Sequence, residues 1–167
     1  MQNLRDLAEH FRADGGLFEM NEWGLNPRLV MEAWVAQESG WDPWASREEL
    51  GFFKTYILPK IVSPRGKIGR ERWALSTSFG LLQVMGSTAR SEGFKGRYLT
   101  QLCDPSVGLY FGCKHLKSRK IRDGWTQALA AFNGGLGKVR GVDNKAPPYR
   151  NQSYVDKILE RVQRGER

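Results

Sequence analysis

The sequence predicts a mainly α-helical domain with a central buried helix and little or no β-structure. Three observations carry that reading. Met31, Trp34, Val35 and Glu38 recur at i, i+3, i+4 and i+7, the spacing of one helical stripe. Val155, Ile158, Leu159 and Val162 repeat the same spacing near the C-terminus, with charged residues between them. Asn-Pro, Asp-Pro and Gly-rich breaks punctuate the chain where helices would start and stop.

Taken in order, Leu4 to Phe11 read as a short amphipathic helix, closed by Asp14-Gly15-Gly16. Asn26 and Pro27 open the central helix, Asn as the cap and Pro at the first helical position, where its missing N–H costs nothing. Ser39-Gly40-Trp41-Asp42-Pro43 stop it. Arg47 to Tyr56 are expected to be helical and to end before Pro59. Ser63 to Lys67 form a turn, Arg70 to Leu75 a helical turn, and a short hairpin around residues 60–76 is the one place for β-structure. Ser87 to Ser91 make a short helix ending at Gly93. Asp104-Pro105 cap a long helix to about Arg122, ended by Asp123-Gly124. Trp125 to Phe132 form the next helix, with Thr126 as cap, and Asn133-Gly134-Gly135 end it. Gly137 to Gln152 read as loop, and a basic helix over residues 151–167 closes the chain.

The chain of 167 residues is expected to be a single domain, long enough to bury a real core. No run approaches the ~18 apolar residues of a membrane span. Met1 to Asp6 show no basic segment leading into an apolar stretch, so the expected starting compartment is the cytoplasm. A net charge of +8 favours anionic partners: nucleic acid, an anionic membrane surface or a wall polymer. The aromatics do not alternate with basic residues as a stacking platform would, so nucleic acid is not expected. Cys103 and Cys113 would lie about 12 Å apart along a helix, too far for a disulfide. They read as small buried residues. His10 and His115 are isolated, so neither a metal site nor a His-based nucleophile is expected, and no cofactor.

Glu38 carries the chemistry. A carboxyl on an apolar stripe beside a Gly-containing break is desolvated, and desolvation raises a carboxyl pKa. A protonated carboxyl near neutral pH serves as a general acid. A solvent-facing glutamate at a helix end is the other reading of the same position.

Three stretches form an ordered set: Glu38-Ser39-Gly40-Trp41-Asp42-Pro43-Trp44-Ala45-Ser46, Ser76-Thr77-Ser78-Phe79-Gly80-Leu81-Leu82-Gln83-Val84-Met85, and Ala128-Leu129-Ala130-Ala131-Phe132-Asn133-Gly134-Gly135. With Leu102-Cys103-Asp104-Pro105 and a long helix between the second and third, and Tyr154-Val155 at the close, the chain resembles the lytic transglycosylase and goose-type lysozyme superfamily over residues 27–163. It is most like the phage endolysins of that group. The resemblance implies a lysozyme-like fold and cleavage of the β-1,4 bond between N-acetylmuramic acid and N-acetylglucosamine in peptidoglycan.

Glu38 matches the family's catalytic acid. In a lytic transglycosylase the same residue then acts as base, and the muramic C6 hydroxyl attacks C1 to leave a 1,6-anhydro end. Goose-type lysozymes deliver water instead. An inverting hydrolase needs a second carboxylate set ~6.5–9.5 Å away. Asp42, Glu48 and Glu49 are the nearest in sequence, Glu49 being the chosen candidate, and the lack of a clear second acid favours the transglycosylase reaction.

Gln83 and Met85 match the Gly-Leu-Met-Gln-x-Met stretch that lines the glycan cleft, Gln83 bonding sugar or backbone and Met85 forming an apolar wall or core. Gly80 gives close approach to substrate or a turn. Ser78 contacts sugar or Glu38, or caps. Asn133 matches the Ala-Tyr-Asn-Ala-Gly stretch and would hold an acetamido group or cap its helix. Phe132 departs from the family's tyrosine. Its lost hydroxyl leaves the acid to be tuned by desolvation alone, or by Tyr154 or Tyr149, and Tyr154 is taken as a substrate-binding residue. The second departure is an insertion at residues 47–77, read as a lid or extra wall beside the cleft that touches substrate, with inert packing as the other reading.

The resulting expectation is a monomeric peptidoglycan-cleaving endolysin, held in the host cytoplasm until it reaches the wall at lysis. Its basic C-terminal helix would meet an anionic outer-membrane surface. A basic nucleic-acid-binding protein and a wall-binding module without catalysis are the competing readings.

Overall fold

The computed structural model describes residues 26–62, 71–119, 124–135 and 148–165, and it is mainly helical with a small sheet. The expected helix at Leu4 to Phe11 and the turn at Ser63 to Lys67 lie outside the described residues. The chain forms two compact units, one of Met1–Gln37 with Cys113–Arg167, the other of Glu38–Gly112.

In the first unit, helix α1 (Pro27–Ser39) begins as its sequence dictates. The Asn26 side-chain oxygen accepts the N–H groups of Arg28 at 3.0 Å and Leu29 at 3.3 Å, satisfying donors that the first turn leaves open. Val30, Met31, Ala33, Trp34 and Val35 are buried. Two later helices belong to the same unit, α6 (Trp125–Gly134) and α7 (Gln152–Arg164). They pack together, and Ala130 and Ala131 of α6 and Val155 and Ile158 of α7 are fully buried. Gly124 precedes α6 with φ 100°, and no side chain caps that helix. The expected cap, Thr126, lies inside the first turn, where its hydroxyl sits 3.5 Å from that of Tyr149. Gly124 takes the position because the backbone there is left-handed, which a side chain disfavours. The Trp34 and Phe132 rings meet edge-to-face, with centroids 4.7 Å apart and planes at 85°, a preferred aromatic geometry.

The second unit carries all the described β-structure. Strands β1 (Ser46–Glu48), β2 (Thr77–Phe79) and β3 (Val84–Met85) form an antiparallel sheet in that order. The sheet therefore joins residues 46–48 to 77–85, and the hairpin lies later than expected. Arg47 to Tyr56 were expected to be helical, but the stretch opens as β1 because Ser46, Arg47 and Glu48 pair with Phe79, Ser78 and Thr77. Tertiary pairing outweighs a weak local preference here.

Helical structure then runs through α2 (Leu50–Phe52), a π-turn (Phe53–Ile57) and α3 (Leu58–Val62). It passes Pro59 instead of stopping before it. The π-turn ends two residues before Pro59, and its wider ladder adjusts the backbone where an α-helical register would clash with the proline ring. Phe53 stacks on Trp73 with centroids 4.0 Å apart. The far end of the insertion is anchored by Arg90. Its guanidinium meets both oxygens of Glu71, Nε to Oε2 at 3.0 Å, and donates to the Phe94 carbonyl at 2.7 Å. A 3₁₀ turn (Ala74–Ser76) leads into β2, and α4 (Gly86–Ser91) follows β3. The long helix α5 (Pro105–Arg119) starts with the Asp104 carboxylate accepting the N–H groups of Ser106 at 2.9 Å and Val107 at 3.2 Å, as expected.

Cys103 and Cys113 are buried free thiols. Burial pushes both upward from the ordinary thiol range, Cys113 the further. The folded chain therefore keeps thiol protons that the unfolded chain gives up as pH rises past the ordinary thiol value. This contribution to stability is complete at neutral pH and is lost in alkali. With an excess of a thiol-specific reagent at neutral pH, the native protein is expected to react slowly and the urea-unfolded protein at both cysteines. Rapid labelling of native protein would contradict the placement of both residues.

Candidate active site

Glu38 stands in the last turn of α1 and is partly buried. The stripe that predicted it holds for Met31, Trp34 and Val35, which are at most 2 % exposed. The most buried carboxylate of the helix is a different one. Glu32 is 3 % exposed, and its Oε1 accepts from Arg28 Nε at 3.2 Å. The sequence offered one signal for it, the i, i+4 spacing of Arg28 and Glu32. Stripe counting passed over it because Glu32 lies off the Met31–Trp34–Val35 line.

After Glu38 the chain turns sharply. Gly40 and Trp41 are both left-handed, with φ of 61° and 68°. A tryptophan in that conformation is strained and persists only where its surroundings hold it. The Asp42 N–H donates to the Ser39 carbonyl at 3.2 Å, the Ala45 N–H to the Asp42 carbonyl at 3.3 Å, and the Trp44 N–H to the Asp42 carboxylate at 2.9 Å. The Ala45 carbonyl then accepts from two donors of the β2–β3 turn, the Gly80 N–H at 2.8 Å and Gln83 Nε2 at 2.9 Å.

Gln83 therefore serves the backbone. Its amide nitrogen also donates to the Gly80 carbonyl at 3.0 Å, so both amide hydrogens are committed. Its own φ is 46°, a second strained non-glycine residue beside Glu38's loop. Gly80 makes the turn with φ 73°. A side chain there would collide with the Leu102 carbonyl, so the close approach predicted for this glycine is to the protein's own backbone.

Ser78 and Met85 are brought together. They pair directly across β2 and β3, and Arg47 pairs with Ser78 on the other side. Residues opposite one another in a sheet share a face. Phe79 and Val84, one position along, present the other face and are buried in the core. Ser78 is 5 % exposed and Met85 partly buried. Glu49, the candidate second carboxylate, is held by Arg47, whose Nε donates to Oε1 at 2.7 Å.

Asn133 and Tyr154 lie in the first unit. The Asn133 side-chain oxygen accepts from Asn151 Nδ2 at 3.0 Å, and the same nitrogen donates to the Ala130 carbonyl at 3.0 Å. Asn133 thus helps tie the start of α7 to α6 and does not cap. The Tyr154 hydroxyl accepts from Trp34 Nε1 at 3.1 Å. Tyr149 is buried, its hydroxyl near that of Thr126. Among the described residues, no group of three or more His, Cys, Asp or Glu side chains is placed to hold a metal ion.

A family model described as the transglycosylase SLT domain matches residues 17–154, most of the chain. The chain belongs to that family. No solved structure matches it at a significant level. Members of the SLT family are lytic transglycosylases, which cleave glycosidic bonds in peptidoglycan, and this chain is a peptidoglycan-degrading enzyme of that class.

In this transglycosylase domain the matched span includes Glu38, the β2–β3 turn and the end of α6, and it closes on Tyr154. Replacing Gln83 with Ala removes both amide donors and is expected to cost about 1–3 kcal/mol in urea unfolding. Stability equal to wild type would mean that the amide does not hold this loop. Tyr154→Phe leaves the N–H of the fully buried Trp34 without the hydroxyl it donates to, and the same measurement should show a loss of about 1–3 kcal/mol.

Proposed function

We propose that the protein cleaves the β-1,4 bond between N-acetylmuramic acid and N-acetylglucosamine as a lytic transglycosylase, with Glu38 as its single catalytic acid and base. In the first step the Glu38 carboxyl gives its proton to the glycosidic oxygen as the bond from that oxygen to muramic C1 breaks. In the second, the muramic C6 hydroxyl attacks C1 and its proton passes to the Glu38 carboxylate. The acid is restored, no water is consumed, and the product carries a 1,6-anhydro end.

The observation that carries this reading is the state of the neighbouring carboxylates. Asp42 is used within the turn that follows Glu38, accepting the Trp44 N–H. Glu49 is paired with Arg47, and Glu48 is exposed on β1. The carboxylates nearest to Glu38 in the sequence are thus engaged locally or face solvent, which supports a mechanism that needs no second carboxylate. Ser78 and Met85, side by side on one sheet face, are the proposed sugar contacts of the second unit, and Asn133 and Tyr154 those of the first. Gln83 acts on the position of the loop that follows Glu38.

The biological setting proposed is lysis of a bacterial host by a phage enzyme that reaches the wall from the cytoplasm as a monomer. The support is the order of the three motifs and the charge of +8, which draws the protein toward anionic envelope polymers and an outer-membrane surface; nucleic acid is disfavoured because the aromatics do not alternate with basic residues.

Mass spectrometry of soluble products from purified peptidoglycan tests the chemistry. Wild type is expected to release anhydro-muramyl ends, and Glu38→Gln to lose at least a hundredfold in rate. Reducing muramyl ends would make the protein a lysozyme-type hydrolase, and undiminished release by Glu38→Gln would remove Glu38 from the mechanism.

A further inference from the structure

Trp44 is 75 % exposed, the most exposed large hydrophobic side chain among the described residues. A singly exposed aromatic is common on protein surfaces and by itself points to nothing. What sets Trp44 apart is that its loop is braced on both sides of the residue. The Trp44 N–H is held by the Asp42 carboxylate at 2.9 Å, and the next carbonyl, that of Ala45, is held by Gly80 and Gln83. The backbone thus presents the ring to solvent from a fixed base.

We infer that Trp44 is a sugar-stacking platform for peptidoglycan glycan strands, a subsite away from the bond that is cut. The inference rests on the reading of the chain as a glycan-cleaving enzyme. A pyranose ring has an apolar C–H face bounded by hydroxyl and acetamido groups. Trp44 offers the matching arrangement, one aromatic plane in a chain segment whose other exposed members are polar, namely Asp42, Ser46, Arg47 and Glu48. A bilayer or a second copy of the chain would call for a broader apolar surface than one ring among charges. The residue lies six positions after Glu38 in the same compact unit, and six residues span at most about 20 Å, a length that a glycan strand of several sugars covers. Polymeric substrate is then favoured over short fragments.

The experiment measures binding of uncrosslinked glycan strands of ten or more sugars, and of a tetrasaccharide, to Glu38→Gln protein with and without Trp44→Ala or Trp44→Phe. Trp44→Ala is expected to weaken long-strand binding about tenfold and tetrasaccharide binding less than twofold, with Trp44→Phe retaining most of the long-strand affinity. The exposed ring contributes little to folding, so the melting temperature of Trp44→Ala should match that of its parent.

Four results overturn the inference: unchanged long-strand affinity, equal losses on both ligands, no rescue by Phe, or a Trp44-dependent dimer in sedimentation. These stand apart from failure of the functional reading, which would appear as no peptidoglycan cleavage by the wild-type enzyme.

Discussion

The oxygen of Ala45 accepts two hydrogen bonds, and much of the second unit depends on it. One donor is the Gly80 N–H and the other the Gln83 amide, so a single carbonyl joins the segment after Glu38 to the β2–β3 turn. Both partners are constrained to meet it. Gly80 must be left-handed and free of a side chain under the Leu102 carbonyl, and Gln83 must tolerate φ 46°. Trp41 tolerates φ 68° on the other side of the junction. Strained residues cluster here because the hydrogen bonds between the two segments over-determine their backbones. The result is a loop of fixed shape following the proposed catalytic carboxyl, and catalysis by a positioned acid requires that kind of fixity.

The first unit meets a different requirement, the packing of large aromatic side chains that carry polar atoms. Trp34 is fully buried, and its N–H needs an acceptor. Tyr154 supplies the oxygen and Phe132 supplies the edge-to-face ring. The phenylalanine that departs from the family's tyrosine is half-buried and meets two rings, Trp34 at 4.7 Å and His115 at 5.4 Å between centroids. Asn133 and Asn151 add a polar clasp between α6 and α7. Gln83, Asn133 and Tyr154, which the motifs mark for substrate, thus carry structural hydrogen bonds.

The insertion of residues 47–77 is structured by its ends. β1 pairs with β2, the Glu49 N–H donates to the Ser76 carbonyl at 2.8 Å, and Arg90 clamps Glu71. None of these contacts is local, which is why the segment read as a plain helix with a later hairpin. Pro59 looked like a stop, yet the π-turn before it lets helical structure continue through it.

Sequence alone determined the helical frame and the family. Caps at Asn26 and Asp104, the buried stripe of α1 and the order of the three motifs are local patterns, set by neighbours within a few residues, and they needed no partner to be legible. Glu38 could be singled out for the same reason. Tertiary structure alone decided what the polar side chains bond. Gln83 reaches Ala45 across 38 positions and Tyr154 reaches Trp34 across 120. Glu32 is buried where the stripe gave no warning, and Trp44 is exposed on a braced loop. Long-range hydrogen bonds and burial arise from which segments the fold brings together, and no short-range pattern encodes that choice.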